Sequence, residues 1–120
     1  KFIFTPQRQK GSKIILENNK AIAVTFASGA IFEKNEVGRL DFVVTHPEYR
    51  NEGLSTIVCI EVIKYLIKNN YEKIILQTDD WRVPAIAVYF KLGFKPVLIN
   101  KESKIRWNKI INNNFKNLKL

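Results

Sequence analysis

The chain contains one cysteine, one histidine and no methionine, and the first two shortages narrow the chemistry open to it. A lone Cys59 cannot close an intrachain disulfide, and within the apolar stretch Thr56-Ile57-Val58-Cys59-Ile60 a free thiol behaves as a small buried hydrophobe. Since His46 is the only imidazole, no Cys/His set has metal-ligand spacing. Metal catalysis is therefore not expected, and a Ser-His-Asp or Cys-His arrangement would have to be built around His46 alone. The sequence has no apolar run of about 18 residues and no signal-peptide pattern at its start, which predicts a cytoplasmic chain with no membrane partner. A start at Lys1 rather than Met suggests a trimmed chain.

What is present fits one packed domain spanning residues 1–120, because 14.0 kDa is close to the usual domain size. A hydrophobic fraction of 46% with 26% charged residues excludes disordered, collagen-like and disulfide-scaffold classes. Twenty basic against eleven acidic side chains leave a charge of +9. That surplus fits either a polyanionic partner or a Lys-, Ile- and Asn-heavy composition that keeps the chain soluble. No run of basic residues exceeds two, so a dedicated nucleic-acid tail is not expected.

Periodicity supplies the elements. Lys13–Glu17 and Ala21–Ser28 flank Asn18-Asn19, a hairpin spacing, since Asn tolerates the left-handed conformation such turns need. Ile22, Val24 and Phe26 should share one face of the second strand. A third strand, about Val37–Thr45, follows a turn near Lys34-Asn35, with Leu40, Phe42 and Val44 alternating against Arg39, Asp41 and Val43. After Pro47 the period lengthens: Leu54, Ile57, Val58, Val62, Tyr65 and Leu66 recur at helical steps, with Ile60, Ile63 and Ile67 widening the stripe up to the Asn69-Asn70 stop. Lys73–Thr78 reads as an interior strand, which a crossover would set parallel to the third. A shorter helix spans about Pro84–Leu92, with proline in its first turn and Gly93 past its end. Phe94–Ile99 predicts a fifth strand, and 101–112 an amphipathic helix that the Asn112-Asn113-Asn114 run should fray.

The segment Thr45-His46-Pro47-Glu48-Tyr49-Arg50-Asn51-Glu52-Gly53-Leu54-Ser55 joins a strand to the start of the long helix. Unpaired N–H groups and partial positive charge at a helix start can hold a phosphate, with Gly53 admitting close approach, Asn51 adopting positive φ and Arg50 adding a cation. The competing reading is a plain helix start with Ser55 as a cap-like residue.

This stretch resembles the acetyl-CoA-binding motif of the GCN5-related N-acetyltransferase (GNAT) superfamily, V-x-P-x-x-R-x-x-G-x-G/A, matching at Arg50 and Gly53. The segment from Trp81 to Phe94 resembles the family's second motif at Pro84, Ala85, Tyr89 and Lys91–Phe94. The two occur in the family's order, and the likeness covers roughly Lys13 to Ile99. Departures are Asn51 and Glu52 where glycine and then a basic or amide residue are usual, Ser55 for the last Gly or Ala, and Arg82 where Asn is frequent. Lys1–Ser12 stands where the family has a leading strand and two helices, and a helix follows the fifth strand where many members have another strand.

The resemblance implies an α/β fold (α+β) with a mixed sheet, an antiparallel meander followed by a β-α-β crossover. It also implies acetyl-CoA as co-substrate and transfer of its acetyl group to a primary amine of an unidentified acceptor. The implied cofactor residues are Val43, Val44, Thr45, Arg50, Asn51, Glu52, Gly53, Leu54, Ser55 and Arg82. The strand residues would act through their backbone, one N–H stabilising the developing oxyanion. Ser55 could donate to the pyrophosphate, while Glu52 should point away from it. Tyr89 matches the tyrosine that serves some members as general acid, against the alternative of a core aromatic. Asp41 is the candidate base, against the alternative of a strand carboxylate paired with Arg39. His46, just before Pro47, is expected to be structural or exposed, and a water-relayed base is a further route. The competing function is a degenerate acyl-CoA-binding module without turnover. A basic nucleic-acid module is disfavoured because aromatics do not interleave with the Lys and Arg residues. The missing acceptor wall predicts an open site or one closed by a second copy, a homodimer.

Overall fold

The structure, a computed structural model, describes residues 10–117, and the chain divides into two units, Lys1–Gln77 and Thr78–Leu120. In the first, Asn18 and Asn19 have φ of 50° and 64°, the paired left-handed conformation of a two-residue hairpin, and join β1 (Lys13–Glu17) to β2 (Lys20–Phe32). The next turn falls on Glu33 and Lys34, with φ of 50° and 65°, one residue earlier than expected, and leads into β3 (Asn35–Thr45). Strands β1, β2 and β3 form the antiparallel meander. After the long helix α1 (Leu54–Lys68), β4 (Ile74–Leu76) joins β3 in parallel, giving the order β1-β2-β3-β4.

One irregularity rearranges the faces of β3. Thr25 lies opposite Val43 and Ala27 opposite Leu40, so Asp41 and Phe42 together face the single residue Phe26. This is a β-bulge, and it holds Phe42 at φ 99°, a conformation that costs a bulky residue roughly 1–3 kcal/mol. The Phe42 ring stacks on Phe26 with centroids 5.6 Å apart. Because cross-strand partners share a face, Leu40, Val43 and Thr45 lie with Ala27, Thr25 and Ala23. Arg39 and Val44 lie on the other face with Ser28 and Val24. The simple alternation expected from sequence, which placed Asp41 with both Arg39 and Val43, is therefore corrected: the extra residue moves Val43 to the face opposite Arg39.

Helix α1 packs on the face carrying Thr25, whose Oγ1 lies 3.9 Å from Cys59 Sγ. Val58, Cys59, Val62 and Leu66 are buried. Ile57, expected in the stripe, and Ile60 and Ile67, expected to widen it, are exposed, since a helix resting on one sheet face buries a narrower band than its apolar content offers. The facing pair Gly29 and Gly38 makes room for Tyr71: a Cβ on Gly29 would lie 2.9 Å from its hydroxyl, and one on Gly38 would lie 3.3 Å from its ring. Asn69 ends α1, its amide donating to the Tyr65 carbonyl at 2.8 Å. Burial pushes the Cys59 thiol above its ordinary value, only partly opposed by the contact with Thr25.

In the second unit, α2 (Val83–Lys91) carries Pro84 in its first turn. Gly93, at φ 97°, closes its end with an N–H to the Phe90 carbonyl at 3.1 Å. Helix α3 (Lys101–Asn114) begins at a capping box: Ser103 N–H donates to Asn100 Oδ1 at 2.8 Å and Asn100 N–H to Ser103 Oγ at 3.0 Å. Phe90 packs against Trp107 and Phe115. Two expectations are corrected here. Phe94–Ile99 forms no strand, leaving four strands among the described residues, because Pro96 removes a ladder donor and Val97, Leu98 and Ile99 are exposed. Helix α3 does not fray at its asparagines, because the Asn114 amide donates back to the Ile110 carbonyl at 3.0 Å.

The expectation about Lys1–Ser12 falls on residues 1–9, outside those described, except for the turn at 10–11 and Ser12, whose Oγ accepts the Ala27 N–H at 3.1 Å. No helix among the described residues is long and apolar enough to cross a membrane.

Candidate functional site

The loop between β3 and α1 is built in short steps. Pro47–Tyr49 make one tight helical turn, started by His46, whose Nδ1 accepts the Glu48 N–H at 3.2 Å and whose ring meets Tyr49 edge-on. His46 thus has a structural task. Tyr49 is hydrogen-bonded to Glu17, and this carboxylate is the chief cause that holds its phenol above the ordinary value. Arg50 is extended, Asn51 takes φ 67°, and Gly53 takes φ 77° as the residue immediately before α1. Arg50, Asn51 and Glu52 are exposed.

Gly53 brings no side chain to the helix start, and the first intrahelical bond runs from Ile57 N–H to its carbonyl at 3.2 Å. The N–H groups of Leu54, Ser55 and Thr56 consequently have no acceptor within the helix and carry its partial positive charge. A Cβ built on Gly53 would meet no atom within 4 Å. Open space thus lies against a positive helix end, an arrangement that fits a phosphate group. Ser55 is not the cap, because Gly53 holds that position. Its Oγ instead lies 2.7 Å from Thr45 Oγ1, joining the end of β3 to the first turn of α1.

Strand β3 supplies the second part. Its pairing with β4 spans Gly38–Leu40, whereas its pairing with β2 continues to Thr45. His46 N–H donates to the Ile22 carbonyl of the strand side at 2.7 Å. By alternation Val44 N–H also faces β2, and the N–H groups of Val43 and Thr45 face the β4 side. The end of β3 and the phosphate-fitting turn are contiguous.

On the opposite face, Arg39 Nε donates to Ser28 Oγ at 3.2 Å and Arg39 Nη2 lies 3.3 Å from Asp41 Oδ2, with both side chains partly buried. Asp41 is therefore an ion-paired carboxylate. In the second unit, Arg82 precedes α2, its N–H donating to the Asp79 carbonyl at 3.0 Å and its guanidinium lying 5.9 Å from the Trp81 ring centroid. Tyr89 is 6% exposed, with its ring edge-on to Phe94. The first unit thus brings together Val43, Val44, Thr45 and residues 50–55, while Arg82 and Tyr89 belong to the second. Sequence reasoning missed the Thr45–Ser55 pair and the Arg39–Ser28 bond, both of which depend on strand register that no local pattern encodes.

The chain is 28% identical over 103 residues to YobR, an uncharacterized N-acetyltransferase of Bacillus subtilis (strain 168), an alignment covering 78% of this chain and 42% of that protein. It is 33% identical over 66 residues to a mycothiol acetyltransferase of Saccharomonospora viridis, covering 55% of this chain and 22% of the relative. The chain thus spans less than half the length of these curated relatives. Among solved structures, an aminoglycoside N-acetyltransferase in complex with CoA superposes with a TM-score of 0.63 at 19% identity, covering 70% of this chain and 66% of the other. The NatC complex bound to Gag peptide and CoA contains a chain that superposes at 0.67 with 16% identity, covering 73% and 59%. These two likenesses are of fold. The family model of the GNAT acetyltransferases matches residues 3–94, across the meander, the glycine turn and α2, and on that match the chain belongs to the GNAT acetyltransferase family.

Proposed function

We propose that this chain binds acetyl-CoA and transfers its acetyl group to a primary amine, as part of an N-acetyltransferase. The observation that carries the reading is the open, left-handed Gly53 at the positive start of α1, beside the end of β3. Leu54, Ser55 and Thr56 N–H groups would hold the pyrophosphate, with Arg50 and Arg82 adding positive charge and Asn51 and Glu52 shaping the turn. Val43 and Thr45 would hold the pantetheine arm through their backbone, and an N–H there would stabilise the oxyanion as the amine adds to the carbonyl, whereas Val44, whose backbone is turned to β2, would not take part. Acetyl-CoA supplies the thioester whose C–S bond breaks as the new C–N bond forms. Tyr89 Oη would protonate the leaving thiolate. Asp41 would accept the amine proton, directly or through water, after giving up part of its pairing with Arg39.

That pairing also favours a second reading, a module that binds acyl-CoA without turnover, since the carboxylate meant to receive the amine proton is already engaged by a guanidinium. Turnover decides between them. Acetyl-CoA hydrolysis-corrected thiol release in a screen of amines, polyamines and peptides should detect acetylation. Binding of acetyl-CoA with no acetylated product would establish the module instead, and absence of binding would remove both readings. A homodimer through the β1 side of the sheet, where Ile14 and Leu16 are exposed, belongs to the same proposal as the means of closing the acceptor site.

A further inference from the structure

We infer that the Thr45 hydroxyl is a positioning residue for the pyrophosphate of CoA, acting through Ser55; the inference rests on the cofactor reading above. Two hydroxyls 2.7 Å apart hold two protons, and only one lies between them. The other belongs to whichever oxygen accepts the shared bond. If Thr45 donates, the Ser55 proton remains available at the first turn of α1, beside the helix N–H groups that have no intrahelical acceptor. If Ser55 donates, that turn loses a donor. A phosphate oxygen at the helix start selects the first arrangement, because an anion takes the proton that Ser55 presents while Thr45 supplies the other bond.

Three features on separate elements produce this contact. The bulge at Asp41 and Phe42 shifts the faces of β3, so that Thr45 shares the α1-facing side with Ala23. With unbroken alternation it would share the side of Arg39. Gly53 occupies the cap, which leaves Ser55 as the second helical residue rather than closing the helix end. Ser55 also lies too early in α1 to turn its hydroxyl onto a carbonyl of a preceding helical turn, the common alternative for a helical serine. Thr45 is then the partner that sets which way its proton points.

The test is titration calorimetry of CoA and of S-acetylpantetheine, which lacks the pyrophosphate, with wild type, Thr45→Val, Thr45→Ser, Ser55→Ala and the double variant. Thr45→Val and Ser55→Ala should each weaken CoA binding by about three- to tenfold, the range of one hydrogen bond. The double variant should lose little more than either single one, because each removes the same chain of donors. Thr45→Ser should restore wild-type affinity, and S-acetylpantetheine should bind all folded variants alike. Wild-type CoA affinity in Thr45→Val beside a loss in Ser55→Ala would overturn the role of Thr45. Additive losses, or an equal loss for S-acetylpantetheine, would overturn it as well. A wild-type chain that does not bind CoA would instead remove the cofactor reading itself. Should Thr45→Val fail to fold, Thr45→Ala takes its place: a loss confined to CoA supports the inference, and wild-type CoA affinity or an equal loss on both ligands overturns it.

Discussion

At Gly53 a single missing side chain does two things, since the left-handed φ of 77° is one that a branched residue resists and the space a Cβ would take is empty. Gly53→Val should therefore abolish the rise in melting temperature that millimolar CoA gives the wild type, read by differential scanning fluorimetry. Tyr89 separates packing from chemistry in a similar way. Tyr89→Phe keeps the ring against Phe94 and removes the hydroxyl, so CoA binding should persist while kcat falls by roughly 10²–10⁴. Unchanged turnover in that variant would assign the proton to solvent or to another residue. Residues with a local backbone reason were legible before the structure: Asn18, Asn19 and Asn51 hold the positive φ that their chemistry tolerates, while the left-handed φ of Gly53 was not among the expectations. Phe42 was not legible either, because nothing about a phenylalanine announces φ 99°; the bulge arises from register and from stacking on Phe26.

Elements show where patterns succeed and where partners decide. The existence and extent of the meander and α1 follow from alternation and helical spacing, although the bulge resets the faces of β3 and Ile57, Ile60 and Ile67 stay exposed. Phe94–Ile99 has strand-like composition, yet a strand exists only with a neighbour to bond, and Pro96 lowers what it could offer one. Helix α3 outlasts its asparagine run through one side-chain bond to Ile110, a geometric detail absent from propensity. The same helix is tied to the segment before α2, where Arg106 Nε donates to Asp80 Oδ2 at 3.0 Å and Arg106 Nη2 to Oδ1 at 2.6 Å. This hydrogen bonding, more than charge alone, holds the Asp80 carboxyl below its usual value. A carboxyl lowered on folding contributes stability above its unfolded pKa of about 3.9 and loses that contribution as pH falls through its folded value. Asp80→Asn should accordingly lower the melting temperature at pH 7, with the gap to wild type narrowing below about pH 4.

For the whole molecule, light scattering should detect association if the β1 side closes the acceptor site with a second copy, and a strict monomer active on one small amine would count against that arrangement. The buried Cys59 offers a way to watch the first unit as a body. It is the only thiol in the chain, has no exposed surface and sits on α1 directly against β2. A reagent such as a maleimide can reach it only in molecules whose helix has lifted from the sheet, so its labelling rate measures how often that happens. Cys59 lies one turn beyond the residues assigned to the pyrophosphate. Saturating CoA should slow labelling in proportion to the stabilisation it confers, while leaving the rate in denaturant unchanged. The chain thus carries its own stopwatch for opening, one that reports ligand binding without an engineered labelling site and without knowledge of the amine.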